Sequence, residues 1–377
     1  MDDRGIDEKK HPEELPFVKA FVAGVVGASA TKPSAAATGE SVLTSSASMP
    51  LAEPEPMVDP ALWRQLLNPD LPAANWDVSG LFVYDKLFLR LLDSFRFFSK
   101  TLLFQTVHGA PFCRWNSGRS MIGIEHTVSV LEKIVVEYVR RGLTVEMTFS
   151  NCLLKEEHLH DELGNNLLKI LDHHNEGENG VIVSQEILAG HVRKTHPRLK
   201  LVASVVKVSM ENGRGNLDYY RRLEDSYDRI MLHPDDNFNM KLLEKIENKD
   251  KYAILVNEPC IVNCPVRQRH YKLVSEAALD SSGNISNQEV GLFKENRCQC
   301  LEDLLFNPER RMLALTNHEI KRIYELGFRN FKVQGRGMRS DGAMLMELSR
   351  VLFNQTPEAS NRTTRFLQRL LAGGAER

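Results

Sequence analysis

The sequence predicts an α/β fold: a closed (β/α)8 barrel of the TIM type, with a disordered leader before it and extra helices at its ends. Three observations predict this. From residue 101 onward, short apolar runs alternate with amphipathic stretches at helical spacing; the alternation reaches eight runs; and the residues that carry chemistry follow these runs rather than precede them. Eight is the number at which a parallel sheet linked by crossover helices closes on itself. An open doubly wound sheet is the competing arrangement, but no Gly-x-Gly-x-x-Gly turn follows the first run.

Taken in order, the chain begins with a leader, residues 1–56. Its later part is built from Ala, Ser, Thr, Pro and Glu and cannot bury enough apolar surface to offset the entropy of ordering. The barrel domain is expected over 57–377. DPALWRQLLNPDLPAANWD and YDKLFLRLLDSFRFF read as helices, the second with Leu87, Leu91, Leu92, Phe95 and Phe98 along one face. The eight strands are expected at 101–107, 143–149, 180–184, 200–206, 229–232, 252–256, 311–315 and 330–333. Between them, Val128, Leu131, Ile134, Val135 and Tyr138 form one helical stripe, and Leu242, Leu243 and Ile246 another. Thr316 with Glu319 three residues later makes a capping box, and Gly327 is placed to end that helix. A polar insertion, DSSGNISNQEVGLFKENR, interrupts the repeat near 280–300, and 358–371 reads as a closing amphipathic helix.

The net charge of -2, from 48 basic and 50 acidic residues, gives no whole-chain field that would draw the protein to nucleic acid or lipid. No run of about 18 apolar residues is present to span a bilayer, and the acidic start is unlike a secretory signal. The expectation is a cytoplasmic protein with no membrane partner.

Four of the six cysteines bunch late in the chain: Cys260 and Cys264 in NEPCIVNCPVR, Cys298 and Cys300 in RCQCLEDLL. Thiols clustered in a chain without signs of secretion are metal ligands more often than disulfide partners. Pro265 suits the first position of a helix, which would set Cys264 near exposed backbone amides that favour a thiolate, with Arg267 and Arg269 adding to the effect. The two pairs are suited to an iron–sulfur cluster or to a tetrahedral zinc; cysteines with no metal are the third reading. A radical S-adenosylmethionine motif would need a third cysteine where Arg267 stands. Cys113 and Cys152 read as small buried hydrophobes.

The remaining loop residues outline a polar pocket. His108, Arg114, Asn116 and Arg119 follow the first expected strand, His233, Asp235 and Asp236 the fifth, and Asn257 and Glu258 the sixth; Arg336 sits between two glycines in a turn suited to an anion. We assign His233, Glu258 and Arg336 as catalytic candidates and His108, Arg114, Asn116, Arg119 and Asn257 as substrate-binding candidates. Each has a plainer reading: Arg336 as a turn residue paired with a carboxylate, His233 as a hydrogen-bonded rim residue, Trp115 as packing rather than a stacking platform. His173 and His174 end a helix on the far side and are assigned no chemistry. No G-x-S-x-G elbow and no HEXXH is present.

The segments NEPCIVNCPVRQRHY, CQC and LTNHEIKRIYELGFRNFKVQGRG, within residues 100–355, are similar to the collagenase-like peptidase family, whose members include iron–sulfur proteins that support hydroxylation of transfer RNA, ribosomal RNA or ubiquinone precursors. The resemblance implies that Cys260, Cys264, Cys298 and Cys300 hold a cluster. The function expected is redox or hydroxylation-type chemistry on an anionic substrate, with an electron donor as partner. The alternatives are a peptidase-like hydrolase and a zinc-pinned module that grips a peptide or RNA, so the substrate class, small molecule, peptide or RNA, stays open.

Overall fold

In a computed structural model the described residues are 65–96, 102–117, 126–175, 178–280, 310–335, 338 and 340–372. The chain divides into two units, Met1–Pro54 and Glu55–Arg377, and every described residue lies in the second. The expected leader, 1–56, and the expected insertion near 280–300 lie outside the described residues.

Eight parallel strands close a barrel in chain order: β1 (Asn75–Ser79), β2 (Thr106–Gly109), β3 (Thr144–Phe149), β4 (Gly180–Val183), β5 (Lys200–Ala203), β6 (Arg229–Met231), β7 (Tyr252–Leu255) and β8 (Asn330–Val333). The helices α1 (Leu81–Arg96), α2 (Val128–Val139), α3 (Glu162–His173) and α4 (Glu186–Thr195) link the first five strands. α5 (Val205–Met210) and α6 (Leu217–Ser226) precede β6, α7 (Met240–Lys245) precedes β7, and α8 (Arg267–Leu279) and α9 (Asn317–Glu325) stand between β7 and β8. α10 (Asp341–Leu352) follows β8, and α11 (Pro357–Ala372) packs Phe366 edge-on against Phe95 of α1 at 5.6 Å between ring centroids. No helix among the described residues is long and apolar enough to cross a membrane.

The expected (β/α)8 barrel is present, with one exchange among its strands. The first barrel strand is NWDVS, whose first three residues end a stretch the sequence reading made helical. Residues 311–315 form no barrel strand: Met312 makes an isolated antiparallel bridge with Ile261 at the mouth. The stripe on α2 buries Leu131, Ile134, Val135 and Tyr138 as expected, while Val128 stays exposed. The capping box on α9 is formed, with Thr316 Oγ1 accepting from the Glu319 amide and Glu319 accepting from the Thr316 amide, and Gly327 (φ +106°) turns the chain beyond it.

Outward strand residues such as Trp76, Val107, Val181, Ile254 and Phe331 are buried under the helices. The register stacks the inward residues in layers drawn from alternate strands. Asp77, Glu146, Val202 and Ala253 form one layer; His108, Ile182, Met231 and Lys332 lie above it; Ser79, Thr148, Ser204 and Leu255 lie above those, toward the carboxyl ends of the strands. The interior is therefore two-sided. β4 to β7 contribute an apolar cluster of Ile182, Val202, Met231 and Ala253, whereas β1, β2, β3 and β8, joined by Arg229 at the start of β6, contribute charge.

Candidate active site

The charged half of the interior is held together by Arg229. Its guanidinium rises from β6 and donates to Asp77 Oδ2 at 2.5 Å and Glu146 Oε1 at 3.2 Å, and His108 Nε2 stands 3.1 Å from Glu146 Oε2. Burial alone would raise the Glu146 carboxyl, but Arg229 and His108 outweigh it and hold the group down at about 2. Burial and then Lys332 push the His108 imidazole below its ordinary range, so it is neutral at pH 7. His108 thus belongs to β2 and to the barrel interior, not to a rim loop.

Above this cluster a cavity of about 60 Å³ opens toward the carboxyl ends of the strands. One side is polar: Ser79, Thr148, Ser150, Lys332 and Gln334, with Glu258 above them. The other is apolar: Ile182, Val205, Val206, Met231 and Leu255. Ser79 Oγ and Gln334 Oε1 are buried and have no hydrogen-bond partner among the described residues. That marks a place suited to a polar ligand, since an unsatisfied buried group costs about 1–3 kcal/mol.

The cavity is roofed by α8, which contributes Tyr271 to its lining. α8 is tied to the β2 and β3 loops by Ser275: its Oγ lies 2.7 Å from Ser117 Oγ and accepts from the Cys152 amide at 3.1 Å, and its carbonyl accepts from Asn151 Nδ2 at 3.1 Å. α8 begins at Arg267 with Val266 as N-cap, so Pro265 lies in the turn before it and Cys264 is two residues further out than the sequence reading placed it.

Beside the cavity a second cluster fixes the cysteine loop. Asp235 accepts from both terminal nitrogens of Arg267 (3.2 and 3.3 Å), from Arg214 (2.9 Å) and from the Asn263 amide (3.1 Å). Arg267 also donates to the Ile261 carbonyl at 2.8 Å and to Cys260 Sγ at 3.8 Å. Asn263, at φ +56°, is held in its left-handed conformation by this network and by Arg214, which donates to its side-chain oxygen. His233 is buried here, with Nδ1 3.3 Å from the Asp235 amide and Nε2 3.4 Å from Arg267. Burial and the Arg267 charge lower its pKa to about 4, so it too is neutral at pH 7.

The structure brings Glu258 to the cavity and His233 to the neighbouring Asp235–Arg267–Cys260 cluster. Asn257 clasps the strand exits, donating to the Gln334 carbonyl at 2.9 Å and accepting from the Gln334 amide at 2.7 Å. Asn116 holds its own loop through the Pro111 carbonyl and the Ser117 amide. Arg114 is exposed on that loop, and its carbonyl accepts from Asn151. Neither Asn116 nor Arg114 lines the cavity. Arg119, Arg336, Cys298 and Cys300 lie outside the described residues. Cys260 and Cys264 are half-buried, and among the described residues no three His, Cys, Asp or Glu side chains converge as a metal ion would require. The Arg267 donor at Cys260 nonetheless suits a thiolate ligand. Cys113 and Cys152 are buried as expected, and Trp115 is a packing residue, buried against Phe149 with its Nε1 donating to the His158 carbonyl at 2.7 Å.

The sequence reading missed Ser79, Thr148, Lys332 and Gln334. Their signal is alternation: Lys332 between Phe331 and Val333 is the inward residue of a strand whose neighbours point to the helices.

No family profile matches this chain, and no curated protein does. Among solved structures, that of the U32 peptidase Mk0906 aligns at a TM-score of 0.45 and 17% identity, over 71% of this chain and 94% of its own.

Proposed function

We propose that this chain is a barrel enzyme whose reaction takes place in the mouth cavity, with Glu258 as the acid–base group and Lys332 as the cation that meets an anionic group of the substrate. One observation carries this reading: a buried carboxylate, an ammonium and a ring of hydroxyls line a single cavity at the carboxyl end of a (β/α)8 barrel. The reaction this arrangement supports best is hydrolysis of the peptidase type, in which Glu258 takes a proton from an attacking water and returns it to the leaving group. Release of fluorophore from a panel of quenched peptides tests it. Glu258→Gln should lower the rate by about 10²–10⁴-fold with folding intact; an unchanged rate overturns the assignment.

A second reading is favoured by the Arg267 contact to Cys260 Sγ. In it, Cys260 and Cys264 with Cys298 and Cys300 hold an iron–sulfur cluster at the same rim, or zinc as the alternative, and the cluster supplies redox chemistry. Iron, zinc and acid-labile sulfide assays on anaerobically purified protein discriminate. Iron and sulfide lost together in Cys260→Ser support the cluster; protein free of both in the wild type overturns it.

A further inference from the structure

Two polar atoms that line the mouth cavity, Ser79 Oγ and Gln334 Oε1, are buried with no hydrogen-bond partner among the described residues. Both residues are more than nine-tenths buried, at 5% and 7% exposure. β1 and β8 pair through Val78 and Val333, so Ser79 and Gln334 are the next residues outward on adjacent strands and stand side by side at the mouth. Neither backbone is free to turn its side chain toward another partner. The Gly80 amide donates to the His108 carbonyl at 3.1 Å, which pins the chain to β2 just past Ser79. The Asn257 side chain holds Gln334 by both its amide and its carbonyl, at 2.7 and 2.9 Å.

The two atoms ask for different things. The Ser79 hydroxyl carries a proton that requires an acceptor, and Gln334 Oε1 is an acceptor that requires a donor. A carboxylate would answer Ser79 and set oxygen against oxygen at Gln334. An ammonium would answer Gln334 and leave the Ser79 proton unmet. A carbonyl and an N–H on adjacent atoms answer both, and the group that carries them is neutral, as suits a cavity whose facing wall includes Val205, Val206 and Leu255.

Resting on the reading of this cavity as the site of a peptidase-type hydrolysis, we infer that Ser79 and Gln334 form a recognition pair for a neutral secondary amide of the substrate. Ser79 Oγ donates to the amide oxygen, and the amide N–H donates to Gln334 Oε1. The recognition uses no charge, and Glu258 and Lys332 stand outside it.

Ligand-observed NMR titration of the full-length protein with N-methylacetamide, methyl acetate and acetate tests this. Methyl acetate keeps the shape of the amide and puts an oxygen in place of its N–H. The amide should bind at least about fivefold more tightly than the ester or acetate. Gln334→Met removes the acceptor while the Asn257 clasp on the backbone remains, so it should erase the preference for amide over ester. Ser79→Ala removes a hydroxyl with no partner among the described residues, so it should leave folding intact, weaken amide and ester alike by several-fold, and keep the preference. Equal affinity for amide and ester in the wild type would mean that water alone answers both atoms, and overturns the assignment. Acetate binding as tightly as the amide overturns it too, as does an amide preference that survives Gln334→Met. If Gln334→Met does not fold, the wild-type comparison and Ser79→Ala decide. Failure of the underlying reading looks different: peptide turnover would be indifferent to Glu258→Gln while the amide preference stayed in place.

Discussion

Arg229 is the residue on which the charged half of the barrel interior depends. Its guanidinium separates two carboxylates, Asp77 and Glu146, both nearly without solvent contact. Replacing it with methionine keeps the volume and strands both charges, so Arg229→Met should destabilise by about 3–5 kcal/mol, read from urea unfolding. Arg229→Lys should recover part of this, because one ammonium cannot fork to both partners. At this scale the sequence was legible where a side chain announces itself by type and lies in a loop, as Glu258 does. It was misleading where strand phase decides. His108 was placed in a loop because the first expected strand ended at 107, two residues short; the strand runs to Gly109 and carries His108 inward.

Among the elements, β1 was hidden for a physical reason. Buried parallel strands ordinarily read as continuous apolar runs, but β1 faces the charged half of the interior. Its inward residues are therefore Asp77 and Ser79, and only Trp76 and Val78 record its burial. RMLAL at 311–315 has the apolar run without the place in the sheet, and pairs at the mouth instead. Helix α9 was legible because its boundary is written in local chemistry, which tertiary context left untouched. Thr316→Ala should cost about 1 kcal/mol through the lost cap, with a matching fall in the urea midpoint. Gly335, just beyond β8, passes so close to β1 that an added Cβ would collide with the Ser79 carbonyl oxygen. That oxygen is backbone and cannot swing aside. Gly335→Ala should therefore destabilise by about 1–3 kcal/mol and weaken ligand binding in the cavity, as the Ser79 hydroxyl moves with its strand.

The whole molecule carries the acid sensitivity of its interior. Glu146 has its carboxyl depressed to about 2 in the folded state against an ordinary 4.5. The unfolded chain thus binds the proton more readily, and the stability that Glu146 contributes is complete above about pH 4.5 and lost as pH falls toward 2. The urea midpoint should fall through this window, and Glu146→Gln should make the fall shallower; an identical slope in the variant would refute the role. The (β/α)8 architecture was readable from rhythm alone. Its lopsided interior was not, because the layers arise from the register between strands far apart in the chain.

Closure joins β1 to β8, whose paired residues, Asn75 with Asn330 through Val78 with Val333, lie at opposite ends of the described chain. A nascent polypeptide that has not yet delivered β8 offers two unpaired strand edges, at β1 and β7, each a template for adhesion to another copy. Completion must wait for translation to pass residue 333, and a premature stop upstream of Asn330 leaves an open sheet with exposed edges rather than a smaller barrel.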